Sequence, residues 1–84
     1  MGLFLPQLTV YSRIACHLCD DLLLQLDELR QQYDFELTMI DVDSHSELQQ
    51  KYGDKVPVLM ADESELCHYY LNPVVVIQYL KNPV

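Results

Sequence analysis

The chain has 84 residues and carries 13 acidic against 5 basic side chains, for a formal net charge of −8. This length predicts one domain over residues 1–84, and a composition of 50% hydrophobic and 21% charged residues argues against disorder. The negative charge argues against nucleic-acid binding, because phosphate backbones attract clusters of Lys and Arg. No apolar run reaches the ~18 residues of a membrane span, and the start, MGLFLPQ, lacks a basic region. We therefore expect a cytoplasmic protein without a membrane partner.

The first half of the chain predicts a strand, a helix and a second strand. Residues 8–12 (LTVYS) are rich in β-formers, and residues 35–42 (FELTMIDV) are apolar and mostly compatible with a strand. Between them, residues 16–33 carry apolar side chains at steps of three and four, which is the spacing of one helix face. These side chains are Leu18, Leu22, Leu26, Leu29 and Tyr33. A strand–helix–strand unit predicts two parallel strands joined by a right-handed crossover.

The second half predicts a short helix followed by a hairpin. Ser44 and Glu47 match the S-x-x-E capping box of a helix start, and Gly53 suits the C′ position after that helix ends at Tyr52. VPVLMA, beginning at Val56, predicts a third strand. The polar turn DES then leads to ELCHYY, residues 65–70, as a fourth strand. So short a turn predicts an antiparallel hairpin.

A final helix closes the predicted order. Asn72 suits its N-cap, Pro73 its first position, and Pro83 its end. The complete order is β-α-β-α-β-β-α. It predicts an α/β fold with a four-stranded mixed sheet and helices on both faces.

Two of the three cysteines, Cys16 and Cys19, form a C-x-x-C motif where the first strand meets the first helix. The thiols lie one turn apart on the same helix face. The unpaired N–H groups and the dipole of the helix start stabilise a thiolate there. The pattern therefore predicts a redox-active pair, with Cys16 as the nucleophile and Cys19 as the resolving thiol.

Charged neighbours of the cysteine pair have opposing effects on thiolate formation. Arg13 favours a thiolate at Cys16, whereas Asp20 and Asp21 repel it. Asp20 directly follows Cys19, and we expect it to keep that thiol protonated. The carboxylates thus separate the acidities of the two thiols.

The strand–C-x-x-C–helix opening, the later Val56-Pro57 pair and the order of elements resemble a glutaredoxin-like protein of the thioredoxin superfamily. The resemblance covers nearly the whole chain and implies a thioredoxin-like (glutaredoxin-type) three-layer fold. It implies that Cys16 attacks a substrate disulfide and that Cys19 is its partner. It also implies that Arg13 helps to bind glutathione. Pro57 would be a cis-proline facing the disulfide, and the backbone of Val56 would pair with the substrate.

The function implied by this resemblance is thiol–disulfide exchange in cell redox homeostasis. A disulfide-containing protein or glutathione would be the partner, glutathione would serve as co-substrate, and no cofactor or metal would be bound. The chain is expected to act as a monomer. Two segments differ from the family pattern. His17-Leu18 replaces the usual Pro-Tyr, and HYYLNP, residues 68–73, replaces the Gly-Gly and Asp that grip the γ-glutamyl carboxylate of glutathione. Protein substrates and a thioredoxin-type reductant therefore form a second possibility.

Two alternatives come from other functional classes. In one, the chain is a thioredoxin-fold interaction module whose cysteines are inert. In the other, it binds a metal or an iron–sulfur cluster, either bridging two subunits through Cys16 or using Cys16, Cys19, Cys67 and His68. A closed site with all four is disfavoured, because adjacent residues of a strand point to opposite faces. Cys67 is predicted to be a small core residue.

Overall fold

The computed structural model describes residues 5–82 of the chain. Over these residues the elements follow the predicted order, with one short 3₁₀ helix added after the second strand. Their bounds are β1 Gln7–Ser12, α1 His17–Leu29, β2 Glu36–Asp41, the 3₁₀ helix Val42–Ser44, α2 Ser46–Tyr52, β3 Val58–Ala61, β4 Ser64–His68 and α3 Pro73–Lys81. The predicted end of the last helix at Pro83 lies outside the described residues. Within this range, no helix combines the length and the apolar composition needed to cross a bilayer.

The four strands form one sheet in the order β2-β1-β3-β4. β1 runs parallel to β2 and antiparallel to β3, and β3 runs antiparallel to β4, which confirms the predicted mixed sheet. Near the end of β1, Tyr11 pairs with Val58 at the start of β3, and Val58 pairs with His68 at the end of β4. This end of the sheet is called the Tyr11 end. The segments that follow β1, precede β3 and follow β4 all meet there.

Buried side chains form one cluster on each face of the sheet. The larger cluster joins the sheet to α1 and α3, and its members are Leu8, Val10, Leu22, Leu26, Phe35, Leu59, Ala61, Val76 and Leu80. The smaller cluster includes a side chain from α2, and its members are Val42, Tyr52, Val58 and Met60. Neighbouring residues of β3 alternate between the clusters, as the pleat of a strand requires. Helices therefore cover both faces, as predicted.

α1 presents its apolar stripe to the larger cluster, and Leu22 and Leu26 are 1% and 0% exposed. Full burial of one leucine side chain contributes roughly 1.5–3 kcal/mol, so this stripe fixes the helix on the sheet. The helix ends at Leu29, and the prediction that it continues to Tyr33 is wrong. Gln32 donates its N–H to the Leu29 carbonyl at 3.0 Å, which tightens the chain into a turn toward β2. Tyr33 still packs against the larger cluster without being helical.

The start of α2 differs from the predicted capping box, which is wrong. Ser44 lies in the 3₁₀ helix, where its Oγ donates to the carbonyl oxygen of Asp41 at 2.6 Å. α2 begins at Ser46, and its N-cap, His45, makes no side-chain cap bond. The serine is engaged by the residue that ends β2 and does not reach the helix start. Gly53 is the C-cap rather than C′, in a right-handed conformation with φ −54°.

The hairpin is antiparallel as predicted, but both of its strands are displaced at their outer ends. β3 begins at Val58 rather than Val56, because the intervening Pro57 has no N–H to donate to a ladder. β4 spans Ser64–His68 rather than residues 65–70. The chain leaves the sheet after this strand and turns toward α3. Both displacements lengthen the loops at the Tyr11 end of the sheet.

Candidate functional site

Cys16 and Cys19 lie at the start of α1, as the C-x-x-C motif predicts. Cys16 is the N-cap residue, with an extended backbone of φ −113° and ψ 108°. The two sulfur atoms lie at disulfide-bonding distance, and the Cα atoms are 5.2 Å apart. The backbone N–H of Cys19 donates to Sγ of Cys16 at 3.1 Å. Sulfur thus takes the capping place that an oxygen of Ser, Thr, Asp or Asn holds at many helix starts.

The two cysteines differ in their exposure to solvent. Cys16 is half-buried, whereas Cys19 is 2% exposed. A disulfide that approaches from solvent therefore reaches Cys16 first. When the pair is reduced, the unpaired N–H groups and the dipole of the helix start favour negative charge on Cys16. The arrangement can support dithiol–disulfide chemistry with one outer and one inner sulfur.

The segment between β1 and Cys16 contains a backbone conformation that is unfavourable for its residue. Ala15 has φ 59°, in the left-handed region, where a residue with a Cβ loses roughly 1–2 kcal/mol. Its neighbour Ile14 is 81% exposed. Sequence reasoning missed this turn, because neither residue is the Gly, Asn or Asp that signals left-handed backbone.

Arg13, between β1 and α1, is held by groups from the 3₁₀ helix and from the end of α2. Its Nε and Nη2 donate to the two carboxylate oxygens of Asp43 at 2.9 and 3.1 Å, and Nη1 donates to the carbonyl of Gly53 at 3.2 Å. Hydrogen bonds from Arg13 and then from Gln49 hold the pKa of Asp43 below its usual range. The role of Arg13 in binding glutathione stays a prediction, and three of its donors already have partners. Sequence reasoning missed this pair because its members lie 30 residues apart.

Gly53 lies where the backbone leaves no room for a side chain. A Cβ at this position would clash with the backbone carbonyl of Gln49, whereas Nη2 of Arg13 would lie at an ordinary contact distance of 3.4 Å. Gln49 also donates from Nε2 to the same Asp43 carboxylate at 3.0 Å. The C-terminal end of α2, the 3₁₀ segment and the β1–α1 segment are thereby joined in one polar network.

Val56 and Pro57 lie at the Tyr11 end of the sheet, directly before β3. Their peptide bond is cis, as the resemblance implies. Pro57 is buried, and its carbonyl accepts the N–H of Tyr69 at 2.9 Å. Val56 is half-buried and packs against the smaller cluster. The pairing of Val56 with a substrate backbone stays a prediction.

Lys55, beside this loop, is also paired with a carboxylate. Its Nζ lies 2.6 Å from Oε1 of Glu65, and Nδ1 of His68 lies 2.6 Å from Oε2 of the same carboxylate. The hydrogen bond from Lys55, followed by that from His68, lowers the pKa of Glu65. The positive charge of Lys55 is therefore compensated within the fold.

The β4–α3 junction brings two tyrosines to the Tyr11 end of the sheet. Tyr69 has φ 63°, and its hydroxyl donates to the carbonyl of Asp54 at 2.6 Å. Its ring meets that of His68 edge-on, with centroids 4.8 Å apart. Tyr70 is 70% exposed. Asn72 then caps α3 as predicted, accepting the N–H of Val75 at 3.3 Å.

Cys67, the third cysteine and a predicted core residue, is half-buried: it packs against the larger cluster without being one of its buried members. Burial is the main cause that raises the pKa of its thiol. Within residues 5–82, no three His, Cys, Asp or Glu side chains are grouped so that they could hold a metal ion. The four residues considered for a metal from the sequence are therefore not gathered into one site.

Comparisons with known proteins agree with this architecture. A family model described as a glutaredoxin-like domain (DUF836) matches residues 7–81. The chain is 32% identical over 65 residues to two uncharacterized proteins, Mb0520 of Mycobacterium bovis and Rv0508 of Mycobacterium tuberculosis. These matches cover 71% of this chain and 67% of each relative.

Two solved structures share the fold. The NMR structure of protein Ne2328 from Nitrosomonas europaea has a TM-score of 0.85 at 39% identity, covering 95% of this chain and 96% of that chain. The X-ray structure of XcR50 from X. campestris, a structural-genomics target, has a TM-score of 0.73 at 29% identity, covering 88% and 95%. With the β2-β1-β3-β4 sheet, these likenesses confirm the predicted thioredoxin-like α/β fold.

Proposed function

Since the chain belongs to the glutaredoxin-like domain family (DUF836), we propose that it is a thiol–disulfide oxidoreductase. One observation carries this proposal. Cys16, half-buried at the cap of α1, lies at disulfide-bonding distance from Cys19, which is buried one turn further on. A dithiol so placed can pass between reduced and disulfide forms while the rest of the helix stays in place.

The first chemical step is attack by the Cys16 thiolate on one sulfur of a substrate disulfide. A bond forms between Sγ of Cys16 and that sulfur, the substrate S–S bond breaks, and the other substrate sulfur leaves as a thiolate. The N–H of Cys19, which lies 3.1 Å from this Sγ, stabilises the attacking thiolate.

The second step is attack by Cys19 on Sγ of Cys16 in the mixed disulfide. The Cys16–Cys19 disulfide forms, and the remaining substrate sulfur leaves. In total, two electrons pass from the dithiol to the substrate, and the two protons of the dithiol end on the two substrate thiols. Cys19 is buried beside Cys16, so it meets the mixed disulfide on Cys16 rather than a disulfide in solvent. A thiol reductant, glutathione or a dithiol, then restores the reduced pair.

The direct test is a redox titration of the pair. The protein is equilibrated across glutathione redox buffers and quenched with acid, and its free thiols are counted by alkylation and mass. A reversible Cys16–Cys19 disulfide is expected, with a midpoint between about −270 and −120 mV, the range of working oxidoreductases. A Cys67→Ser variant is the matched control, because it removes a thiol outside the pair and should titrate identically.

A trapping experiment separates the roles of the two sulfurs. In Cys19→Ser, the substrate should remain covalently bound to Cys16 and should appear as an added mass on that residue. If both thiols stay open to alkylation at every potential, the pair does not cycle. The chain would then be the alternative, an interaction module with inert cysteines.

A further inference from the structure

Charges around the cysteine pair are unequally available to a substrate. The cations at the Tyr11 end of the sheet are already paired, Arg13 with Asp43 and Lys55 with Glu65. In contrast, Asp21, in the first half of α1, is exposed to solvent. A substrate that reaches Cys16 therefore meets compensated positive charge and exposed negative charge. This balance favours cationic substrates over anionic ones.

A groove with the same bias includes Asp21, two residues after Cys19 along α1. It has a volume of about 400 Å³ and runs between α1 and the β4–α3 junction. Its lining combines two carboxylates with apolar surface, and the residues are Asp21, Leu24, Gln25, Glu28, Tyr70 and Leu71. Leu24 and Tyr70 are 63% and 70% exposed, so both side chains are open to a partner. A second groove of about 250 Å³ shares Gln25, Glu28 and Leu71 with the first and extends it along α1.

We propose that this groove docks the disulfide-bearing segment of a protein substrate, and that the segment carries Lys or Arg beside an apolar residue. The inference rests on the proposed thiol–disulfide exchange and names its substrate class. Asp21 or Glu28 would bind the cationic side chain, and Leu24 and Tyr70 would pack on the apolar one. Opposite charge speeds encounter and fixes register, while burial of the apolar side chain supplies affinity.

Glutathione fits this surface poorly. It is anionic, and the β4–α3 junction places Tyr69 and Tyr70 where the family pattern has glycines and an aspartate. The tyrosines add bulk where a carboxylate would need close access to backbone N–H groups. The same junction supplies Tyr70 to the groove, so the change that disfavours glutathione also builds the proposed peptide surface.

The helix geometry sets the register of the docked segment. Asp21 lies five residues after Cys16 and Glu28 twelve residues after it, which places them about 7.5 and 18 Å further along the helix axis. An extended peptide rises about 3.3 Å per residue. Asp21 and Glu28 lie seven residues apart and therefore share one helix face. Measured along the helix axis, a cationic residue about two to five residues from the attacked cysteine lies level with one of these two carboxylates.

Two peptides that differ at one residue test the charge preference. Each contains one cysteine, coupled as a mixed disulfide to 2-nitro-5-thiobenzoate, with a leucine nearby and either Lys or Glu three residues from the cysteine. The reduced protein attacks the peptide sulfur, and the released thiolate is read by absorbance. The Lys peptide is expected to react about tenfold faster than the Glu peptide at low salt. The ratio should approach one in 0.5 M salt, which screens the attraction.

Two double variants that each remove two carboxylates show which part of the surface causes the charge preference. The Asp21→Asn/Glu28→Gln variant should bring the low-salt ratio of the two rates to near one. The Glu47→Gln/Glu63→Gln variant removes the same charge from α2 and the hairpin turn, away from the groove, and should keep the ratio. If the control lowers the ratio equally, the preference comes from net charge and the groove proposal is overturned.

The remaining outcomes separate this inference from the proposed function. If the wild-type protein reduces both peptides at equal rates at low salt, the substrate class is overturned while disulfide exchange stands. If it reduces neither peptide and its cysteines do not titrate, both proposals fail together.

Discussion

The β1–α1 and β4–α3 junctions, both at the Tyr11 end of the sheet, start their helices with nearly the same geometry and different atoms. Cys16 precedes α1 with φ −113° and ψ 108°, and Asn72 precedes α3 with φ −103° and ψ 96°. In each, the side chain accepts the N–H of the third residue along, Cys19 to sulfur at 3.1 Å and Val75 to oxygen at 3.3 Å. The cap geometry is therefore common to both, and it does not by itself create a reactive site.

What differs is the capping atom and the residue one turn further on. At α1 the cap is a sulfur, and its hydrogen-bond donor belongs to a second cysteine buried in the core. At α3 the cap is an amide, and the junction before it exposes Tyr70. We infer that the two junctions have different roles: the β1–α1 junction carries out disulfide exchange, and the β4–α3 junction determines which substrates can approach the cysteines. Substitutions at one junction can therefore show whether the other depends on it.

The largest expected effect follows from Cys16→Ser. Serine is a strong N-cap, so the start of α1 keeps its hydrogen bond while the nucleophile is lost. Disulfide exchange should fall to the uncatalysed background, measured by release of 2-nitro-5-thiobenzoate from the Lys peptide. The free energy of unfolding in urea should stay within about 0.5 kcal/mol of the reduced wild-type protein, since only the capping atom changes.

The reduced wild type is the necessary reference here, because the oxidised form also carries a cross-link. A Cys16→Ser protein that lost about 2 kcal/mol or more would mean that the thiol does more for α1 than its cap bond. If the variant retained disulfide exchange, the nucleophile would have to be a cysteine other than Cys16.

The second effect comes from opening the other junction with Tyr69→Gly/Tyr70→Gly. Glycines give an anionic carboxylate access to the backbone, and Tyr70 is removed from the groove. The rate with glutathione disulfide, divided by the rate with the Lys peptide, should rise about tenfold, or ~1.4 kcal/mol. Tyr70→Phe is the matched control, because it keeps the aromatic surface and should leave the ratio unchanged. An unchanged ratio in the glycine variant would mean that the β4–α3 junction does not determine which substrate is preferred.

The β1–α1 junction could be predicted from the sequence because its signals are local. Cys16 and Cys19 are three residues apart, and apolar spacing places them at the start of a helix packed by Leu22 and Leu26. The spacing of apolar residues predicted the wrong end for α1, because the backbone leaves the helix before the apolar stripe ends. A stripe that continues to Tyr33 cannot show that the chain tightens after Leu29.

The surroundings of the site could not be predicted, because they depend on contacts between distant segments. The partner of Arg13 is 30 residues away, and Glu65 binds Lys55 across ten residues. Composition gave no sign that either cation is compensated. Ala15 is left-handed although it is not a residue type that marks such turns. Local pattern thus places the sulfur atoms, and tertiary pairing decides which charges a substrate meets.

A smaller, purely structural effect is expected from Asn72→Ala. Loss of an N-cap side chain costs about 1 kcal/mol, and this one accepts a bond at 3.3 Å on an exposed helix start. Urea unfolding should show this loss, while the exchange rate with the Lys peptide stays within error of wild type. Asn72→Ser keeps a capping oxygen and should recover most of the stability. A fall in exchange rate without a fall in stability would mean that the second cap takes part in the chemistry.

The smallest expected effect is on the ion pair of Arg13. In Asp43→Asn, the guanidinium loses its charged partner and becomes available to an anionic substrate. The rate with glutathione disulfide should rise by a few-fold at low salt and return toward wild type in 0.5 M salt. Glu47→Gln also removes one carboxylate near the start of α2, and it serves as the control for net charge alone. An equal rise in both variants would remove Arg13 from the explanation.

The Arg13–Asp43 ion pair also predicts how the stability of the fold changes with pH. Because Arg13 and Gln49 lower the pKa of Asp43 in the folded state, its stabilising contribution is fully present above the unfolded carboxyl pKa of about 3.9. That contribution is lost as pH falls below this value through the lowered folded pKa. Wild type should therefore exceed Asp43→Asn in urea midpoint at pH 6, and the difference should shrink on acidification below about pH 4. A difference that stayed constant would place the effect in packing around Gly53 rather than in charge.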